Sequence, residues 1–187
     1  MKQEYIKNYL EETIRIAETI SEEEIYKGIK ILKSVKNKHG RLFILGCGGS
    51  AANASHAVND FRKIGGIESY APTDNVSELS ARTNDEGWET TFVEWLKISN
   101  LSKDDAILVL SVGGGNENAS LNIVNAEKLA QERNARIISI VSRDGGYSQK
   151  ASDACILIPV IDEKRITPHA EGWQGIIWHL MVNAINE

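Results

Sequence analysis

His56 and Asp60 lie four residues apart in GSAANASHAVND, so on a helix both side chains leave one face. An imidazole beside a carboxylate can pass protons near neutral pH or offer nitrogen and oxygen donors to a metal ion. The same pair also serves as an ordinary surface or core hydrogen bond, and on spacing alone that structural role is the commoner one. Glu171 and His179, in HAEGWQGIIWHL, stand eight apart, two turns along a similar helical face. Trp173, Ile177 and Trp178 beside them read as core or interface. His169 follows Pro168 near a helix start, and its role is open.

A second kind of chemistry sits in the loops. GCGGS, Gly46 to Ser50, joins an apolar run to a helix expected from about Ala51. Its three glycines permit close backbone approach, and the helix start offers free N–H groups and a positive dipole end. Ser50 adds a hydroxyl, so an anion site is the favoured reading of this loop. It is neither a Walker A loop, lacking Gly-Lys-Ser/Thr, nor a full dinucleotide fingerprint, lacking the third glycine. SVGGGNEN, Ser111 to Asn118, is expected to repeat that geometry, with Ser111 and Asn116 as polar contacts. Two such loops after parallel strands would grip the two ends of one polar ligand. In TDNVSELSARTND, Asn84 and Asp85 come just after a short helix, and spacing alone favours a plain polar helix end. SRDGG, Ser142 to Gly146, is a turn signal with room for an anion-facing role.

The elements that must position these loops follow from the hydrophobic pattern. RLFILG, AILVLS, ARIISIVS and ACILIP are apolar on both faces and rich in β-branched residues, as buried parallel strands are. Residues 67–71 make a weaker strand candidate. Helices are expected over 51–63, 76–82, 88–98, 117–134 and 168–186. Strand–helix alternation predicts an α/β fold with a parallel sheet, right-handed crossovers and ligands beyond the strand C-termini. Ahead of this lies a helical hairpin within residues 1–40. Its first helix carries Ile6, Leu10, Ile14 and Ala17 at helical spacing, and its second starts at the capping box Ser21–Glu24. The hairpin serves either as cover for its own core or as a packing surface for another subunit.

At 187 residues the chain suits one domain, 1–187. A net charge of −5 argues against a dedicated nucleic-acid surface. No apolar run spans a bilayer, and Cys47 and Cys155 are too few for a disulfide framework or a cysteine zinc site. The opening residues lack a signal pattern, which predicts a reduced cytoplasmic protein with no membrane partner.

Taken in order, GCGGSAANASHAVNDF, TDNVSELSARTND, SVGGGN, SRDGG and HAEGWQGIIWHL resemble the sugar isomerase (SIS) family, specifically its phosphoheptose isomerase branch. The resemblance covers most of the chain. It implies a three-layer sandwich around a five-stranded parallel sheet, a homotetramer, and active sites shared between subunits. The family's substrate-binding stretch falls on Cys47, Gly48, Gly49 and Ser50, its Asn-Asp pair on Asn84 and Asp85, and its phosphate loop on Ser111, Val112, Gly113 and neighbouring Asn116. Its metal or catalytic positions fall on His56, Asp60, Glu171 and His179, with Glu171 also a substrate contact. Several positions depart from the commonest pattern: Cys47 replaces Asn, Asp60 replaces Glu, Glu171 replaces Gln, and Ser-Thr-Ser-Gly has become Ser111-Val112-Gly113-Gly114.

Two imidazoles and two carboxylates suit zinc or a similar ion. The implied activity is aldose–ketose isomerisation of sedoheptulose 7-phosphate to glycero-manno-heptose 7-phosphate through an enediol(ate), for heptose and surface-polysaccharide synthesis. Asp60 would act as base and His179 as its acid/base partner, or both would hold zinc. The alternatives are a non-catalytic sugar-phosphate-binding or adaptor protein of the same family, and an isomerase of a different phosphosugar.

Overall fold

In the computed structural model, which describes residues 2–187, the four apolar runs are the strands β1 (Arg41–Gly46), β3 (Ala106–Leu110), β4 (Arg136–Val141) and β5 (Ala154–Leu157). The weaker candidate is the short edge strand β2 (Glu68–Tyr70). All pair in parallel in the order β2-β1-β3-β4-β5, with Leu42 opposite Ala106, Ile107 opposite Ile137 and Ile138 opposite Ala154. The order reverses direction between β1 and β3. At such a switch point the loops part and leave a crevice at the strand C-termini.

Helices cover both faces. On one, Leu42, Ile44, Leu108 and Ile138 pack against α2 (Glu22–Asn37), α3 (Gly49–Asp60) and α8 (Ile166–Ala184). On the other, Phe43, Leu45, Ile107 and Val109 meet α5 (Thr91–Ile98) and α6 (Leu121–Glu132). Between these lie α4 (Val76–Asp85) and the single turn α7 (Ser148–Ala151). The expected sandwich is therefore the observed one. No helix among the described residues is long and apolar enough to cross a membrane.

Three boundaries differ from expectation. α3 begins at Gly49 and passes after Asp60 into a π turn, Phe61–Gly65, which widens the helix directly below His56 and Asp60. α4 continues to Asp85, so Asn84 and Asp85 belong to its last turn. α6 starts at Leu121 rather than 117, because Asn116 and Ser120 fold the intervening residues into turns, Ser120 at φ 56°.

α1 (Lys2–Thr19) also differs from a simple core-covering helix. Ile6, Leu10 and Ile14 are 57%, 57% and 56% exposed, and the buried positions are Glu12 and Ile16. Glu12 is the anchor. Its carboxylate accepts hydrogen bonds from Arg165 Nε at 2.8 Å and lies 2.8 Å from His169 Nε2, whose ring stacks on Tyr9. Hydrogen bonding by Arg165, helped by His169 and opposed by burial, holds the Glu12 carboxyl down at about 2. His169, whose role the sequence leaves open, thus ties α1 to α8.

Candidate functional site

α3 and α8 lie side by side and run in the same direction, and His56, Asp60, Glu171 and His179 sit on this seam with Gly49 and Ser50. At its upper end Glu171 meets Gly49, and Ser50 and Asn53 meet Gln174. Lower down His56 meets Trp178, Asp60 meets His179, and Gly65 meets Val182.

The lower station is a cluster of three. His56 Nε2 and His179 Nε2 lie 3.8 and 3.7 Å from the same atom, Asp60 Oδ2. Those separations are too long for hydrogen bonds. One nitrogen or oxygen from each residue lies within 4.8 Å of the other two. The other ends of these side chains are committed. His179 Nδ1 lies 2.6 Å from the Gly175 carbonyl, which can only accept, so Nδ1 carries a proton and, in the neutral ring, Nε2 is the nitrogen left with a lone pair. Asp60 Oδ1 accepts from Asn59 Nδ2 at 2.8 Å. Asp60 is buried, while His56 and His179 open to solvent. The His179 nitrogen and the carboxylate oxygen are acceptors facing one point, with the His56 nitrogen beside them. This arrangement repels unless a proton or a cation lies between, and a borderline divalent ion fits the donor set.

Glu171 does not join them. Helical rise separates positions 171 and 179 by about 12 Å along α8, and a helix running parallel to α3 carries that offset straight along the seam. Within one chain the four expected metal or catalytic residues therefore stand at two stations, Glu171 at one and His56, Asp60 and His179 at the other. The Glu171 carboxylate lies over Gly49, where a Cβ would stand 2.5 Å from its carboxyl carbon and Oε2. Only glycine leaves room for it. Gly48, at φ 60°, turns the chain into α3, and both glycines are exposed.

We expect Gly49→Ala to move the flexible Glu171 side chain rather than break the fold. If Glu171 is the substrate contact that the family resemblance implies, KM should rise about five- to tenfold, as for loss of one hydrogen-bonding group. The double variant with Glu171→Ala should match either single variant, because both remove the same contact. Additive effects in steady-state kinetics would show that the two residues act separately.

The other expected contacts are placed as follows. Ser50 is buried and its hydroxyl donates to Gln174 Oε1 at 2.9 Å, so that donor is spent inside the protein. Cys47 begins the turn after β1, where its sulfur accepts from Asn122 Nδ2 at 3.3 Å and burial pushes the thiol above its ordinary range. Asn122 thereby ties the first glycine loop to α6.

The second loop does not repeat the first. Ser111 Oγ accepts from Gly114 N–H at 3.1 Å, Val112 offers its carbonyl to Ser142 N–H, and Asn116 Oδ1 accepts from the N–H groups of Asn118 and Ala119. Gly113 alone remains open. Asn84 and Asp85 are exposed on α4 and bonded to each other at 2.7 Å. Asn84 lines a cleft of about 580 Å3 with Leu79, Thr83 and Trp88.

No sequence pattern marks Asn53, whose Nδ2 donates to the Glu171 carbonyl, or Gln174. Facing positions on two distant helices carry no periodic signal.

A family model described as the SIS domain matches residues 4–142. The phosphoheptose isomerase of Aliarcobacter butzleri is 30% identical over 174 residues, covering 89% of this chain and 89% of that protein. A lincomycin biosynthesis protein of Streptomyces lincolnensis is 28% identical over 188 residues, covering 94% of this chain and 66% of that protein. The structure of phosphoheptose isomerase from Neisseria gonorrhoeae superposes with a TM-score of 0.85 at 26% identity, covering 100% of this chain and 99% of that one.

Proposed function

The chain belongs to the SIS domain family, and from that premise we propose that it isomerises sedoheptulose 7-phosphate to glycero-manno-heptose 7-phosphate. The observation that carries this is the seam itself. A carboxylate and two imidazoles converge low on α3, and an exposed glycine turn opens above them at the switch point of the sheet.

Aldose–ketose isomerisation removes a proton from the carbon next to a carbonyl and returns it to the neighbouring carbon. Asp60 is the base in this scheme: its Oδ2 takes the proton from one carbon and delivers it to the next, restoring the carboxylate. His179 Nε2, unprotonated because Nδ1–H is held by the Gly175 carbonyl, relays the proton between the two sugar oxygens. Burial of Asp60 keeps water from competing for that proton. Alternatively, the same His56, Asp60 and His179 donors would hold a zinc-like ion, which would supply Lewis-acid polarisation of the substrate oxygens in place of the proton relay.

The catalytic cluster sits about 10 Å or more below Gly49 along α3, so one chain does not bring it against its own glycine turn. We therefore place the active site between copies in a homotetramer. The exposed apolar faces of α1 (Ile6, Leu10, Ile14) and α8 (Ile176, Leu180) support this, the latter lying beside His179. The N-terminal hairpin is then an assembly element. The reaction belongs in the cytoplasm, since a sugar phosphate dianion does not cross a bilayer unaided.

The test is solvent exchange. Protein with sedoheptulose 7-phosphate in deuterium oxide should incorporate deuterium at C1 or C2, read by NMR, and yield the aldose. Folded, zinc-supplied protein that gives neither would remove the isomerase assignment.

A further inference from the structure

The SRDGG turn has no place in the scheme above, although it is fastened to the second glycine loop. Tyr147 and Ser148 N–H groups donate to the carbonyls of Gly115 and Gly114 at 2.8 and 3.0 Å, the Ser148 hydroxyl also donates to Gly114, and Ser142 N–H donates to Val112. A Cβ on Gly114 would collide with the Gly145 carbonyl, so the two loops pack backbone to backbone. On this joined unit Arg143 is held at φ 57°, a left-handed conformation that a long side chain rarely adopts. Conformations of this kind persist where the surroundings impose them, and they cluster at ligand sites.

Arg143 borders Gly113 and lines a cleft of about 610 Å3 together with Asn116, Asp144, Glu163 and Ile166. Among the described residues its guanidinium makes no ion pair and no hydrogen bond. Asp144 is engaged by Gly146 N–H at 3.2 Å, and Glu163 is the cleft's remaining carboxylate. Hydroxyls are scarce here. Ser111 is buried and its oxygen accepts from Gly114 N–H, Val112 and Gly113 have none, and Asn116 offers only its neutral amide Nδ2. A dianion with so few hydroxyl donors needs a cation, and a guanidinium offers two parallel N–H donors to two phosphate oxygens.

We propose that Arg143 binds the phosphate of the substrate, taking over from the hydroxyls that the second loop lacks, with the cleft between Gly113 and Arg143 as the phosphate subsite. β4 lies two strands from β1, about 9.5 Å. That is the reach of an open-chain seven-carbon sugar phosphate whose other end meets Gly48, Gly49 and Glu171. The subsite rests on the isomerase reading for its substrate, but its ligand class does not.

Two measurements test it: steady-state kinetics with sedoheptulose 7-phosphate, and binding of inorganic phosphate alone by calorimetry. Arg143→Gln should raise KM about thirtyfold with kcat within threefold of the parent, and weaken inorganic phosphate at least tenfold. Arg143→Lys should recover part of both, and Glu163→Gln should tighten phosphate about threefold by removing a like charge. Arg143→Gly, which takes the left-handed conformation freely, repeats the loss if Arg143→Gln folds poorly. Unchanged KM and unchanged phosphate binding in these variants would overturn the proposal. If phosphate binding depends on Arg143 but the parent leaves sedoheptulose 7-phosphate unconverted, the subsite stands and the isomerase reading falls. Turnover with phosphate binding indifferent to Arg143 gives the reverse.

Discussion

Asp60→Asn is expected to lower turnover of sedoheptulose 7-phosphate by about a thousandfold or more, in the range for removal of a positioned base, with the fold retained. The substitution keeps the size of the side chain and its place opposite the two imidazoles, 3.8 and 3.7 Å away. It removes the charge and the capacity to take a proton from carbon. Exchange of solvent deuterium into C1 or C2 should vanish with turnover, because both need that proton to leave. Metal analysis of the same variant separates the two duties open to Asp60. Loss of bound zinc together with activity marks a ligand, whereas zinc retained without activity marks a base. Activity within tenfold of the parent would exclude both.

The second large effect concerns stability. Glu127 on α6 is fully buried, neither carboxyl oxygen has a hydrogen-bond partner, and burial pushes its acid up from 4.5 to about 7. A carboxyl that ionises at higher pH in the folded state than in the unfolded chain holds its proton better when folded. Folding is therefore undiminished below about pH 4.5, loses stability as pH rises from 4.5 to 7, and carries the full cost above that. The shift corresponds to about 3 kcal/mol at pH 8. Glu127→Gln removes the ionisation and keeps the shape, so at pH 8 it should raise the melting temperature by roughly 5–10 °C. Near pH 4.5 the gain should shrink to almost nothing. A gain independent of pH would mean that the carboxyl is not the titrating group.

How much was legible in the sequence follows from how far apart the determinants lie. The four long strands were readable because a strand buried on both faces must be apolar throughout, and 41–46 or 136–141 leaves no other reading. His56 and Asp60 could be paired because four residues return to one helical face. His179 could be added only through resemblance, since nothing local points from α8 to α3. The height of Glu171 relative to the other three was not readable for the same reason: the parallel alignment of the two helices sets it, and that is a tertiary fact. The second loop was expected to mimic the first because both are glycine-rich. Composition does not reveal that Ser111 and Asn116 spend their oxygens on their own turns. α1 was amphipathic as expected, but its apolar stripe faces outward because Glu12, a charged residue, is the one anchored inward.

On the proposed function, the parallel seam of α3 and α8 would separate what is done to a substrate from which substrate is accepted. Residues 49 and 171 lie at one height and residues 56, 60 and 179 at another, so single substitutions at the top leave the groups below in register. Descendants of such a chain can wander among related sugars without passing through an inert ancestor, and a copy that loses its lower histidines still keeps a pocket worth selecting.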